Sequence, residues 1–135
     1  MKIQLDENAL TPVRAHETDA GLDLRSMENG LIFPKCHKVF RTGCHIAIPR
    51  NYVGLLTSKS GLMSKGIKSE GTIDSGFTGD IRAVLFNHSW WFKRIRKGQK
   101  ITQLVIMPII TPPLELVDSL EETDRGTGGF GSTGR

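Results

Sequence analysis

Apolar residues recur along the chain as short runs, "KIQL", "LIFP", "HIAIP", "YVGLL", "IRAVLF", "ITQLVIMPII" and "LELV", separated by Gly, Pro, Asn and Asp. Runs of this length between turn-forming residues predict strands, and their number predicts an all-β sandwich or barrel. Ile81, Ala83 and Leu85 alternate with Arg82, Val84 and Phe86, so this strand leans apolar on both faces in its later half and should lie inside the assembly. The run from Ile101 to Ile110 is apolar on both faces except at Thr102 and Gln103, which a buried strand must supply with hydrogen-bond partners. Helical patterning is confined to "SGLMSKGI", residues 60 to 67, with Ser60 as its N-cap and Gly66 as its stop. Lys59 stands at the entrance of that helix, where free backbone amides suit an anion.

One stretch exceeds what its local structure needs. "GTIDSGFTGDI", residues 71 to 81, reads as a hairpin of two β-branched runs joined by turn residues, yet it carries Asp74 and Phe77 where a turn requires neither.

The chain has 135 residues, enough for one domain that buries about two-thirds of the surface it exposes when unfolded. No apolar run approaches the roughly 18 residues of a membrane span, and "MKIQLDENAL" lacks the apolar stretch of a signal peptide. A cytoplasmic location is expected, or the host cytoplasm or nucleus for a viral chain. Cys36 and Cys44 have no CxxC partner and no zinc-like spacing, which favours reduced structural thiols. His37 and His45 each follow a cysteine, but strand alternation points such neighbours to opposite faces and argues against a shared metal. The formal net charge is +4, and "KRIRKGQK", 93 to 100, is basic at five of eight positions just after Trp90 and Trp91. A nucleic-acid surface combining charge and stacking is conceivable there. A solvated hairpin turning at Gly98 is the stronger reading, and nucleic-acid binding is not expected.

Composition shifts at the C-terminus, where "DRGTGGFGSTGR" holds five Gly, two Arg and three hydroxyl residues around Phe130. The chain is therefore divided into a β core, residues 1–120, and a Gly-rich arm, 121–135. The arm lacks the GxxxxGK[ST] spacing of a P-loop, but its amides with Arg125, Ser132 and Thr133 could wrap an oligophosphate while Phe130 covers a planar base.

Five stretches in order, "DAGLDL", "SKSGLMSKGI", "GTIDSGFTGDI", "GQKITQLVI" and "RGTGGFGSTG", resemble the five motifs of the trimeric deoxyuridine triphosphatase (dUTPase) family across residues 19 to 134. The resemblance implies a distorted jelly-roll-like β-sandwich of the β-clip type with one short helix. It implies a homotrimer whose active sites are shared between subunits, with the C-terminal arm crossing to a neighbour. The implied reaction is hydrolysis of dUTP to dUMP and pyrophosphate, which limits uracil in DNA and supplies dUMP for dTMP synthesis. Magnesium is the implied cofactor, held mainly by the substrate phosphates with no direct protein ligand assigned.

By the same resemblance, Asp74 activates the water that attacks the α-phosphorus. Phe77 stands where the family usually has Tyr and packs on the deoxyribose, excluding a 2'-hydroxyl. The backbone from Gly71 through Ile73 to Ile81 reads the edge of uracil. Lys59, Ser60, Gly61 and Gln103 contact phosphates. From the arm, Arg125, Gly131, Ser132 and Thr133 hold the terminal phosphates and Phe130 stacks on uracil. Asp23 is a supporting acidic residue. Two departures stand out: Lys59 where most members have Arg, giving a point charge in place of a planar fork, and Lys68 where many have a base-contacting Asn. The rival is the related dCTP deaminase, which needs a catalytic Glu in a differently patterned third motif; Glu70 is adjacent but does not replace Asp74.

Overall fold

The computed structural model describes residues 1–129. Its elements, in chain order, are β1 (Lys2–Leu5), β2 (Gly21–Arg25), β3 (Gly30–Ile32), β4 (His37–Arg41), β5 (Cys44–Ala47), β6 (Tyr52–Thr57), α1 (Ser60–Met63), β7 (Ile67–Ile73), β8 (Arg82–Asn87), β9 (Lys93–Ile95) and β10 (Lys100–Pro108). Six strands form one antiparallel sheet in the order β2, β10, β6, β7, β8, β4, and the ribbons β1–β5 and β3–β9 complete the fold.

The sheet bends at β7. Its residues Glu70–Ile73 pair with β6, while Ile67–Ser69 pair with β8, so the strand changes partner midway and the sheet curls. Two apolar clusters fill the interior. Leu24, Ile46, Leu56, Ile81 and Leu104 belong to one, and Phe40, Ile67, Leu85, Ile95 and Ile101 to the other. Alternation along β8 is as the pattern predicts, with Ile81, Ala83 and Leu85 fully buried and Arg82, Val84 and Phe86 more open.

Thr102, inside β10, donates to the Thr57 carbonyl at 3.0 Å and accepts from the Ser69 hydroxyl at 3.1 Å. Ser58 Oγ accepts from the Ser69 amide at 2.8 Å and donates to the Ser69 carbonyl at 3.0 Å. These bonds staple β6, β7 and β10 together and meet the demand that a hydroxyl in an apolar strand creates.

Four expectations are corrected. "LELV", 114–117, forms no strand, because alternation supplies an apolar face but the chain offers these residues no sheet edge, and Leu114 and Leu116 are fully exposed. The helix covers Ser60–Met63 only, with Lys59 as N-cap in extended conformation and no side-chain cap bond. Ser60 is thus the first helical residue and not the cap, while Gly66 follows as a left-handed stop at φ 79°. Residues 71–81 are not a tight hairpin: β7 and β8 pair only as far as Ser69 and Leu85, and the chain beyond splays into an open loop. Gly98 turns the chain at φ 80°, but β9 pairs with β3 and not with β10. Charged residues hide β4, "HKVFR", from apolar patterning; it is an edge strand whose Phe40 faces the core.

Candidate active site

Loop 74–81 walls a cavity of about 540 Å³ lined by Thr72, Ile73, Asp74, Phe77, Gly79, Asp80 and Arg82. That is ample for a small-molecule ligand. Asp74 lies just past the end of β7 and is exposed; its backbone carbonyl, not its carboxylate, makes the turn by accepting from the Phe77 amide at 3.0 Å. The carboxylate has no ion-pair partner among the described residues and is available to a ligand or water. Phe77 rests on Gly79, where a Cβ would come within 2.7 Å of the ring's Cζ. Only glycine permits that seat.

Contacts far away in sequence fix the loop's conformation. Asp80 accepts from the Gly43 amide at 2.8 Å and from Arg41 Nε at 2.9 Å, and Arg41 also reaches Asp6 at 2.6 Å. His45 Nδ1 lies 2.9 Å from the Thr78 carbonyl and its Nε2 lies 3.0 Å from Asp6. The Thr78 carbonyl and then the Asp6 carboxylate hold the His45 pKa above its ordinary value. Ile81 is fully buried, its amide donating to the Cys44 carbonyl at 2.9 Å and its carbonyl accepting from Thr42 at 2.6 Å. The loop's exit is therefore rigid.

A second group gathers where β2, β10 and β6 lie side by side. Antiparallel register sets Gln103 between Asp23 and Thr57. Gln103 Nε2 donates to the Ser58 carbonyl at 3.4 Å, and its side chain lies over Gly21, where a Cβ would clash at 2.6 Å. Asp23 is buried and ion-paired with Lys59 and, at 2.7 Å, with Lys100. Burial pushes the Asp23 pKa up, but the hydrogen bonds from Lys100 and Lys59 outweigh it and hold the carboxyl below its ordinary value. The carboxylate thus positions Lys59 at the entrance to α1, beside the first helical amides of Ser60 and Gly61, which have no intrahelical partner. A Cβ at Gly61 would meet nothing, so the approach there is open. Lys68 pairs with Glu70 at 2.8 Å on the exposed face of β7.

The fold therefore joins the predicted residues of "DAGLDL", "SKSGLMSKGI" and "GQKITQLVI" into one basic cluster. It holds Asp74 and Phe77 at a separate cavity, whose lining shares no residue with the surface depression beside Ser58, Lys68 and Gln103. Arg125 is exposed, its Nε donating to the Gly128 carbonyl at 3.2 Å. Phe130, Gly131, Ser132 and Thr133 lie outside the described residues. The sequence reading missed Asp80, Arg41 and His45 as supports of the loop. Asp80 stands inside the motif itself, but its partners are about 40 positions away and carry no local signal. Lys100 was visible only as one charge in a basic run.

No three His, Cys, Asp or Glu side chains converge as a metal cage among the described residues. The carboxylates at hand are those of Asp74, Asp80 and Asp23; Asp80 is engaged by Arg41 and the Gly43 amide, and Asp23 by two ammonium groups. Such a donor set fits a magnesium ion that arrives on its ligand's phosphates.

A sequence profile described as dUTPase matches residues 7–134. The chain is similar to the deoxyuridine 5'-triphosphate nucleotidohydrolase of Clostridium tetani, 42% identical with 100% of this chain and 97% of that protein covered. It is 44% identical to the enzyme of that name from Clostridium kluyveri, covering 97% and 94% of the two chains. Among solved structures, a point mutant of the dUTPase of Staphylococcus bacteriophage 80alpha with dUpNHpp aligns at a TM-score of 0.91 with 34% identity over 99% of this chain and 98% of that one. With a matched profile over nearly its whole length and relatives above 40% identity at full coverage, the chain belongs to the dUTPase family.

Proposed function

We propose that the chain hydrolyses dUTP to dUMP and pyrophosphate as a dUTP diphosphatase, with Asp74 as general base. The observation that carries this reading is the Asp74 carboxylate, free of ion pairs among the described residues, at the edge of a cavity walled by Phe77, in a chain whose full-length relatives bear the name deoxyuridine 5'-triphosphate nucleotidohydrolase. Asp74 takes a proton from water, the water oxygen bonds to the α-phosphorus, and the bond from that phosphorus to the bridging oxygen breaks, so pyrophosphate leaves with the electron pair. Phe77 packs against deoxyribose and leaves no space for a 2'-hydroxyl. The backbone of Gly71, Ile73 and the loop up to Ile81 presents fixed donors and acceptors to uracil; because the Ile81 backbone groups already have partners, its part is to hold the loop's end.

Lys59, the amides at Ser60 and Gly61, and Gln103 receive the phosphates, with Asp23 holding Lys59 in place. Arg125, Ser132, Thr133 and the Gly131 amide close on the terminal phosphates, and Phe130 covers the base. Magnesium held by the phosphate oxygens neutralises charge on the triphosphate. The dUTPase of Staphylococcus aureus phage phi11, a mutant of which was solved with a coordinated structural Mg(II) ion, is a family precedent for magnesium on the protein.

The separation of Asp74 and Phe77 from the basic cluster within one chain supports a site completed between subunits of a homotrimer. Apolar side chains exposed beyond β10, at Ile110, Leu114, Leu116 and Leu120, are the kind of surface a neighbouring subunit covers. The test is pyrophosphate release from dUTP, dCTP, dTTP and UTP, with and without magnesium, by the wild type and Asp74→Asn. Turnover of dUTP alone, lost in the variant while dUTP still binds, is expected; normal turnover by Asp74→Asn would remove Asp74 from the role.

A further inference from the structure

The segment between β8 and β9 is the most aromatic and among the most open on the molecule. Trp90 and Trp91 are each 76% exposed, Phe92 is 59% exposed and the neighbouring Phe33 is 64% exposed. Folding has left these four rings uncovered, and the proposed dUTP site does not use them.

The segment is held in place. Asn87, 1% exposed, donates from its amide to the carbonyls of Ile32, Phe33 and Trp91 at 2.8 to 3.1 Å, and its oxygen accepts from the Ser89 amide and hydroxyl at 3.0 and 2.7 Å. Lys35 Nζ stands 4.1 Å over the Trp90 ring and donates to the His88 carbonyl at 2.6 Å. A buried, fully used asparagine and a lysine bridge present the indoles from a fixed backbone.

Cations continue the surface. Along β9, Ile95 enters the core and Arg94 takes the outward face by strand alternation, and Phe92 and Arg96, just beyond the strand's two ends, are exposed as well. Arg94 pairs across with Leu31 on β3, and a concavity of about 480 Å³ runs between Asn29, Gly30, Leu31, Arg94 and Arg96. None of the chain's 14 carboxylate side chains lies between residues 29 and 69 or between 81 and 114, the stretches that supply this face. Among the described residues Arg94, Arg96 and Lys97 form no ion pair.

We propose that this face binds single-stranded nucleic acid, with bases stacking on Trp90, Trp91 and Phe92 and phosphates following Arg94, Arg96 and Lys97. The sequence alone reads here as a solvated turn; exposure of the rings, their fixed backbone and the arginines left without an ion pair among the described residues change that reading. Stacking plates beside a basic groove are what an unpaired strand needs, since each base offers a free π-face and each nucleotide a phosphate. A duplex has its bases already stacked and leaves the indoles unused. An acidic peptide neutralises the arginines but gives the rings no planar partner. A bilayer is flat, and the guanidinium groups line a hollow. The Asp74 cavity and this hollow share no lining residue, so binding here does not require an empty dUTP site.

The test is fluorescence anisotropy of a labelled oligothymidylate of about 20 nucleotides with the full chain, together with its tryptophan emission, over a salt series. Expected results are tryptophan quenching on binding and a linear fall of log affinity with log salt. Trp90→Ala with Trp91→Ala should weaken binding about tenfold or more and abolish the quench. Arg94→Glu with Arg96→Glu should flatten the salt slope. Both pairs should leave dUTP hydrolysis unchanged, which also reports an intact fold. Equal or tighter binding to a duplex of the same length, to polyglutamate or to phosphatidylserine vesicles overturns the proposal. So does absence of binding at low salt, or oligonucleotide affinity unaltered in the tryptophan variant.

Discussion

His45 lies between two acceptors, the Thr78 carbonyl and the Asp6 carboxylate, and only an imidazole carrying both protons can donate to both. Its pKa is raised, first by the Thr78 carbonyl and then by Asp6, so these bonds contribute stability fully below the ordinary value of 6.5 and lose it as pH rises through the higher folded value. The melting temperature of the wild type is therefore expected to fall relative to His45→Gln across that window; a difference that does not vary with pH would show that the imidazolium contributes nothing. Gly79 acts by shape. A methyl group there meets the Phe77 ring at 2.7 Å, and because Phe77 is partly exposed the ring swings away at little cost to folding. Gly79→Ala should keep its melting temperature to within a few degrees yet lose preference for dUTP over UTP, read as the ratio of kcat/KM values. An unchanged ratio would mean that the ring's seat does not set sugar selection. Neither role is legible in the sequence: the motif reveals Gly79 as a glycine and His45 as the neighbour of a cysteine, and only folding shows what each one touches.

At the scale of elements, patterning reads the strands that alternate and stops where a partner decides. Ile81, Ala83 and Leu85 announce β8 because burial on one side imposes a period of two. "LELV" carries a similar signal and makes no strand within the chain, and "HKVFR" carries little and does, since β8 offers it an edge. The loop 74–81 misleads as a hairpin because its turn residues are genuine, whereas the partners that splay it open, Arg41, Gly43 and Cys44, belong to β4, β5 and the turn between them. Five spaced motifs name the candidate site residues as a set; the division of the described ones into a cavity and a basic cluster is not in the sequence, since it depends on register. The Ser58, Ser69 and Thr102 bonds fasten β7 where it changes partner. Ser58→Ala strips both the amide and the carbonyl of Ser69 of their side-chain partner and should cost about 1–3 kcal/mol in urea unfolding. A loss below a few tenths of a kcal/mol would mean that water replaces the hydroxyl.

For the whole molecule, the catalytic proposal needs parts that one chain keeps separate. A chain ending at residue 123 removes the fifth motif and retains the apolar side chains that follow β10. By light scattering it should keep the oligomeric state of the full chain, the trimer proposed above, and it should lose dUTP turnover by orders of magnitude. A monomeric product would place the subunit contacts in the arm, and full activity would exclude the arm from the site. No helix among the described residues is long and apolar enough to cross a membrane.

β10 is hydrogen-bonded along both sides, to β2 and to β6, and it carries Lys100 and Gln103, with Asp23 of β2 beside them. Amides in such a doubly paired strand exchange with solvent only in openings close to global unfolding, whereas those of loop 74–78 exchange through small local fluctuations. In deuterium-labelling terms β10, which carries the proposed phosphate contact Gln103, should be the last region to take up label, and loop 74–78, proposed to read the base, among the first. Mild denaturant would accordingly blunt the choice of nucleoside while the affinity for pyrophosphate persists, so selectivity and phosphate binding would fail at different points on the same unfolding curve.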